Sequence, residues 1–182
     1  MTLSSSSPTV LVLASGRGER FLASGGRGSK LQAPLAGTTV LAHTLAAVRA
    51  SGLAFHVEDA GHPGMGDSIA AGVRATRDAA GWLVLPGDLP LVRPESLQAV
   101  AAALAESSVV LPFHRGTRGH PVGLGAVHGA ALAQLSGPEG AAAIVRSAQP
   151  LKLELDDEGI VTDIDTVDDL ARAEAILLRR SA

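Results

Sequence analysis

With 182 residues, 46% of them hydrophobic and 18% charged, the chain has the size and composition of one globular unit with a sizeable core. Its 15 Lys and Arg against 18 Asp and Glu leave a formal net charge of −3, which argues against broad electrostatic capture of nucleic acid or of an anionic membrane, so any anion must be held locally. There is no cysteine, which excludes disulfides, thiolate catalysis and cysteine-ligated metal and suits a cytoplasmic setting, and no apolar run reaches membrane-spanning length.

Residues 1–8 form a short Ser-rich stretch without the apolar centre of a signal peptide, expected to be a disordered tail, with residues 9–182 as one domain. From there the apolar period switches repeatedly between strand and helix. Val10 to Ala14 reads as a buried strand, followed by a glycine-rich break that continues to Lys30. Thr39 to Arg49 reads as a helix behind a Thr cap, with Leu41, Leu45 and Val48 on one face, and Ala54 to Val57 as a short strand. Ser68 to Ala80 is Ala-rich and helical, and Trp82 to Leu85 is a continuous apolar strand that stops at Pro86-Gly87. Pro94 opens a helix with Glu95 in its first turn. Val109 to Leu111 and Val122 to Val127 read as strands, Ala130 to Leu135 and Glu139 to Ala148 as short helices, Leu151 to Leu155 as a strand, and Val167 to Arg180 as the last helix. This alternation predicts an α/β fold of three layers, a mostly parallel sheet with helices on both faces, whose ligands bind beyond the carboxyl ends of the strands.

That architecture places Ser15-Gly16-Arg17-Gly18 at the end of the first strand. Its backbone N–H groups have no bulky side chain in the way, and Arg17 and Arg20 add charge, so the set suits a polyphosphate; a plain glycine-rich surface loop is the alternative. The dinucleotide pattern G-x-G-x-x-G does not fit, because Glu19-Arg20-Phe21 and a second glycine group, Gly25-Gly26-Arg27-Gly28, follow. The Walker pattern fails because Lys30 precedes Leu31. In "LVLPGDLP", residues 83–90, Asp88 stands at a strand end, where it can hold a hard cation such as Mg²⁺ against phosphate oxygens or simply form a turn. "GHPGMGDSIAAG", residues 61–72, reads as a glycine loop entering a helix near Ser68; its amides and Ser68 can hold a phosphate, or Asp67 or Ser68 is a plain N-cap. His120-Pro121 falls at a strand start with Arg115 and Arg118 beside it, either a second anion subsite or a solvated loop. Asp163 and Asp165 are two apart on an extended segment and so point to one face.

Five stretches in order, "LASGRGERF…K", "GMGDSIAAG", "LVLPGDLPLV", "GHPVG" and "DIDTVDDL", resemble the molybdenum cofactor nucleotidyltransferases, above all the cytidylyltransferases, with the guanylyltransferases as close relatives. The resemblance runs from about Val10 to Ile176. It implies a nucleotide-diphospho-sugar-transferase-like, Rossmann-like fold and attack by a phosphate monoester on the α-phosphate of an NTP, with Mg²⁺ and release of pyrophosphate. Carried over by position, it implies that Ala14, Ser15, Gly16, Arg17, Gly18 and Arg20 wrap the triphosphate and that Lys30 closes the loop. Gly66, Asp67, Ser68 and Gly87 would touch the nucleotide, and Asp88 would hold the metal with Asp165, in preference to Asp163, as its second carboxylate. Catalysis would rest on Lys30, Asp88 and Arg17, and the acceptor on His120, Pro121 and Arg118. The implied substrates are CTP and a molybdopterin-type phosphate, with a sugar phosphate as the fallback acceptor and a molybdoenzyme or its chaperone as protein partner. A nucleotide- or cofactor-binding maturation protein without turnover is the other reading.

The chain departs from the family at three places. Only Ser51 to Pro63 stand where a strand, a helix and a further strand are usual, the loop between Arg20 and Lys30 is longer, and Val167 replaces a proline. The insert from Leu22 to Ser29 is expected to be a mobile strip that closes over the triphosphate.

Overall fold

Short runs of aliphatic and β-branched residues build the centre of the molecule. In the computed structural model, which describes residues 7–16 and 18–180, the strands are β1 (Thr9–Leu13), β2 (Pro34–Leu35), β3 (Thr38–Thr39), β4 (Ala54–Glu58), β5 (Gly81–Pro86), β6 (Val109–His114), β7 (Thr117–Arg118), β8 (Val122–Gly125) and β9 (Leu151–Glu154). The helices are α1 (Glu19–Ala23), α2 (Val40–Ala50), α3 (Met65–Ala75), α4 (Pro94–Ala103), α5 (Gly129–Leu132), α6 (Ala142–Ser147) and α7 (Val167–Arg180). Residues 1–6, the start of the predicted tail, lie outside the described residues, as does Arg17.

The seven-stranded sheet has the order β4-β1-β5-β8-β6-β7, with β9 also paired to β6; β2 and β3 form a separate two-stranded ribbon. The pairs β4–β1, β1–β5 and β6–β9 are parallel, whereas β8 runs against both β5 and β6, and β7 against β6. Five strands therefore point one way, as the alternating pattern predicts, and the two reversed ones follow from β6 turning back through β7 into β8.

Successive side chains of a strand point to opposite faces, and both faces here are apolar. Val10, Val12, Leu83 and Leu85 pack with Val48 of α2 and Leu97 and Val100 of α4. Leu11, Trp82 and Val84 pack on the other face with Ile69 and Val73 of α3, Leu132 of α5 and Val145 of α6. A third cluster, Phe21, Leu35, Val40, Leu91, Ile164 and Ala173, seats α1 and α7 at the carboxyl end of the sheet. This is the three-layer α/β arrangement expected. Among the described residues no helix is long and apolar enough to cross a membrane.

The boundaries differ from expectation in instructive places. The break after β1 is not all loop: Gly18, at φ 63° in the left-handed region, turns the chain into the five-residue α1. The insert that follows is folded back on itself, with Gly26 N–H donating to the Phe21 carbonyl (2.9 Å). The Ser24 hydroxyl donates to that carbonyl (2.8 Å) and accepts from the Val167 N–H (3.0 Å), which ties the segment to the start of α7. A Cβ at Gly26 would run into the Phe21 ring, so the fold requires glycine there. Helix α3 starts at Met65, three residues before Ser68, with Gly64 as its N-cap, and it ends at Ala75 rather than Ala80. The expected strand Val122 to Val127 ends at Gly125, and residues 126–128 form a 3-10 turn instead.

Candidate functional site

The carboxyl ends of β1, β4 and β5 and the amino end of β8 open into one cavity of about 830 Å³, near the upper end of small-molecule sites. Strand β1 delivers Ser15, Gly16 and Gly18 to its floor, and Arg20 reaches in from α1. Strand β5 delivers Gly87 and Asp88, and the Gly87 N–H donates to the Leu13 carbonyl (2.9 Å), which locks the two strand ends together.

Lys30 is the hub. Its Nζ lies 2.6 Å from Asp88 Oδ2 and 3.1 Å from Asp165 Oδ1, although 135 residues separate the second pair in sequence. Burial opposes the ammonium charge, but the Asp88 and Asp165 carboxylates outweigh it and hold Lys30 above the ordinary lysine value. The other Asp165 oxygen accepts from Arg20 Nη1 at 2.7 Å. What brings the distant carboxylates here is a backbone bond, the Ile164 N–H donating to the Asp88 carbonyl (3.0 Å). Asp163, on the same extended segment, is raised above the usual carboxylate range by burial, by a hydrogen bond shared with Asp165 and by the charges of Asp165 and Asp88.

Across from this cluster, His120 and Arg118 form the wall at the start of β8, where the His120 N–H is held by the Ile160 carbonyl (2.8 Å). Burial, helped by Arg118 and opposed by Asp88, pulls the His120 imidazole below its ordinary value, so it is neutral at pH 7. Among the described residues, two buried side-chain polar atoms here have no partner, Asp88 Oδ1 and His120 Nδ1. Both atoms are closed off from solvent, and an unpaired buried polar atom is costly, so each gains if a ligand or ion brings a partner within reach.

Other predicted residues stand apart from the cavity. Asp67 accepts from the Gly137 N–H (2.9 Å) and Gly66 donates its N–H to the Gly137 carbonyl (2.8 Å), so both serve the joint between α3 and the loop after α5. Neither Asp67 nor Ser68 is the N-cap of α3; the Ser68 hydroxyl donates to the Gly64 carbonyl (3.3 Å) while Ser68 itself lines the cavity. Ala14 does not line it either, since its N–H is bound to the Glu58 carbonyl (2.9 Å). Pro121 is buried behind His120 and also lies off the lining. Conversely, Glu58 and His62 were not singled out by the sequence, yet His62 Nε2 lies 3.0 Å from Glu58 Oε1 at the cavity edge. The only signal for them was the His and Glu content of residues 56–62, which by itself names no chemistry.

Among the described residues no three His, Cys, Asp or Glu side chains come together as a metal-holding group. A hard divalent cation does not require three, since Mg²⁺ is commonly held by one or two carboxylates and completed by phosphate and water oxygens. Asp88 and Asp165 fit that demand: both are oxygen donors, one cationic atom already bridges them, and Asp88 Oδ1 has no partner among the described residues.

The comparisons with known proteins agree with this fold. The Rv0371c protein of Mycobacterium tuberculosis H37Rv, solved also in complex with manganese, is 23% identical and superposes with a TM-score of 0.78 over 93% of this chain and 98% of its own. A nucleotidyl transferase from Methanothermobacter thermautotrophicus is 21% identical, TM-score 0.76, over 96% and 99% of the two chains. Molybdopterin-guanine dinucleotide biosynthesis protein A from Archaeoglobus fulgidus is 20% identical, TM-score 0.68, over 94% and 99%. A search of curated proteins finds no match. The family model of the MobA-like NTP transferase domain matches residues 48–153, more than half of the sequence, and the chain therefore belongs to the MobA-like NTP transferase domain family.

Proposed function

We propose that the protein is a Mg²⁺-dependent nucleotidyltransferase that transfers CMP from CTP to a phosphate-bearing acceptor of the molybdopterin type. The observation that carries this reading is the Lys30 ammonium bridging Asp88 and Asp165 directly beside the glycine loop of β1. Phosphoryl transfer demands alignment and charge neutralisation and little covalent work by the protein, which is what such a cluster offers.

In this reading the amides of residues 15–18 bind the β- and γ-phosphates, with Arg17 and Arg20 adding charge. Lys30 meets the charge that develops on the α-phosphoryl group. Asp88 and Asp165 would hold the Mg²⁺, which when bound neutralises the phosphate oxygens. Arg118 and the neutral His120, which both line the cavity, orient the acceptor. An acceptor phosphate oxygen forms a bond to the α-phosphorus, the bond from that phosphorus to the bridging oxygen breaks, and pyrophosphate leaves. Family membership and the manganese complex of the mycobacterial neighbour support the reading.

The test is a screen of the four NTPs with Mg²⁺ for pyrophosphate release, with and without molybdopterin, against a panel of sugar phosphates. Release that requires CTP and molybdopterin together is expected. Nucleotide binding without pyrophosphate release under any pairing would favour a maturation protein that binds but does not turn over.

A further inference from the structure

Glu58 ends the edge strand β4 and is only 7% exposed. Both of its carboxylate oxygens are occupied. Oε1 accepts from the Ala60 N–H (3.3 Å) and faces His62 Nε2 (3.0 Å), and Oε2 faces His56 Nε2 (3.3 Å). Its backbone carbonyl accepts in addition from the Ala14 N–H (2.9 Å) and the Ser15 hydroxyl (3.1 Å), so one residue fixes both the glycine loop and His62. Burial pushes the carboxyl up, but the hydrogen bonds from His56, Ala60 and His62 outweigh it and keep Glu58 ionised. An ionised carboxylate can only accept, so Nε2 of His62 carries its hydrogen toward Glu58. In the neutral imidazole this leaves Nδ1 as a lone pair.

The two ends of the cavity differ in chemistry. Beside β8 stand Arg118 and His120, which suit a phosphate. Beside β4 stand His62, Pro63, Met65 and Ser68, with no arginine or lysine among the described residues, an adaptable thioether on a residue 46% exposed, and only a few polar atoms. That end suits a flat, uncharged ring with polar edges. Between the two ends lies the glycine loop.

We propose that His62, fixed in one tautomer by Glu58, reads the nucleobase by accepting a hydrogen bond from an exocyclic amino group, and so selects cytosine over uracil. The inference rests on the nucleotidyltransferase reading above and adds to it a specificity residue to which the sequence assigned no role. Cytosine and uracil have the same size, so the pair isolates the hydrogen bond: the amino group of one meets the His62 lone pair, whereas the carbonyl oxygen of the other sets acceptor against acceptor. Glu58 is a positioning residue, since it acts through His62.

The test is calorimetric titration of the full-length protein with CTP and with UTP in the presence of Mg²⁺, for the wild type, His62→Ala and Glu58→Gln, with a thermal melt of each. One hydrogen bond made or clashing is expected to separate the two affinities roughly tenfold in the wild type. His62→Ala should bring the ratio to within about threefold, mainly by weakening CTP. Glu58→Gln, which keeps the shape but no longer imposes one tautomer, should narrow the ratio without abolishing binding, a change that a merely structural role would not produce. Equal binding of CTP and UTP by the wild type, a preference for UTP, or a ratio that survives in His62→Ala overturns the proposal while leaving nucleotidyl transfer intact. Failure of the wild type to bind either CTP or UTP overturns both this proposal and the reading of CTP as the donor.

Discussion

Replacing Lys30 by Met keeps the unbranched stem and much of the volume of the side chain and removes the terminal ammonium between Asp88 and Asp165. Among the described residues Asp88 is then left with neither oxygen paired, because Oδ1 has no partner there in the wild type. Removing one partner of a fully buried ion pair costs about 3–5 kcal/mol. Here the Lys30 and Asp88 side chains are 11% and 14% exposed at the wall of an open cavity, so water relieves part of the loss and about 2 kcal/mol is expected. For a chain of this length that lowers the melting temperature by roughly 4–8 °C. The sign of the pH dependence follows from Lys30 being held above its ordinary value of 10.5. Its contribution is fully present below that value and is lost as pH rises through the higher folded one, so the gap between wild type and Lys30→Met should persist from neutral pH upward and close only in strong alkali. Millimolar Mg²⁺ should raise the melting temperature of Lys30→Met more than that of the wild type, because the divalent cation then takes the ammonium's place between the carboxylates. Turnover should fall about 10²–10³-fold, the usual loss when one group stabilising transition-state charge is removed. Scanning calorimetry of both proteins with and without Mg²⁺ measures this. A variant that melts with the wild type and does not respond to Mg²⁺ would refute the electrostatic reasoning.

Asp88→Asn should remove most of the turnover while moving the melt only slightly, since Lys30 keeps Asp165 and the amide oxygen can still accept from it; near-wild-type activity, read by pyrophosphate release, would sink the metal assignment. Asp163→Asn should melt higher than the metal-free wild type at neutral pH: a carboxyl raised above its ordinary 3.8 costs stability when charged, so the gain should fade and vanish as pH falls below that value, and a gain that is constant with pH would contradict the account. Asp157, 2% exposed, accepts from the Arg93 and Gly159 N–H groups and the Ser96 hydroxyl and anchors the turn that leads to Asp163. Asp157→Ala leaves those buried donors unpaired and should cost about 3 kcal/mol in urea unfolding, with Ser96→Ala costing less.

Strands β1 and β5 and helix α2 were legible because their apolar runs are long and their ends carry strong signals, such as Pro86-Gly87 after β5 and Thr39 before α2, whose hydroxyl accepts from the Ala42 N–H, whereas the short α1, β2 and β3 carry no such run. Asp88 and Lys30 were legible for the same reason, since each sits at the end of an element and within a recurring local pattern. The direction of β8 was not, because four apolar residues carry no sign of which neighbours they pair with. The start of α3 was missed since its capping residue is Gly64 and its first turn is held through Asp67 by Gly137, 70 positions away in sequence and invisible to any local rule. The same applies to the mobile strip expected between Leu22 and Ser29: its glycines suggested freedom, but Phe21 and Val167 bind it through contacts that only the fold creates. Glu58 and His62 belong to this class too, since their meaning depends on where the edge strand places them.

The central claim is that this cavity moves a nucleotidyl group. The most direct measurement uses CTP labelled at the α-phosphate and, separately, at the γ-phosphate, with Mg²⁺ and molybdopterin. The account predicts that the α-label appears in the acceptor, that the γ-label appears only in pyrophosphate, and that both transfers disappear in Asp88→Asn. Release of γ-label as inorganic phosphate, with no α-label on any acceptor, would contradict it.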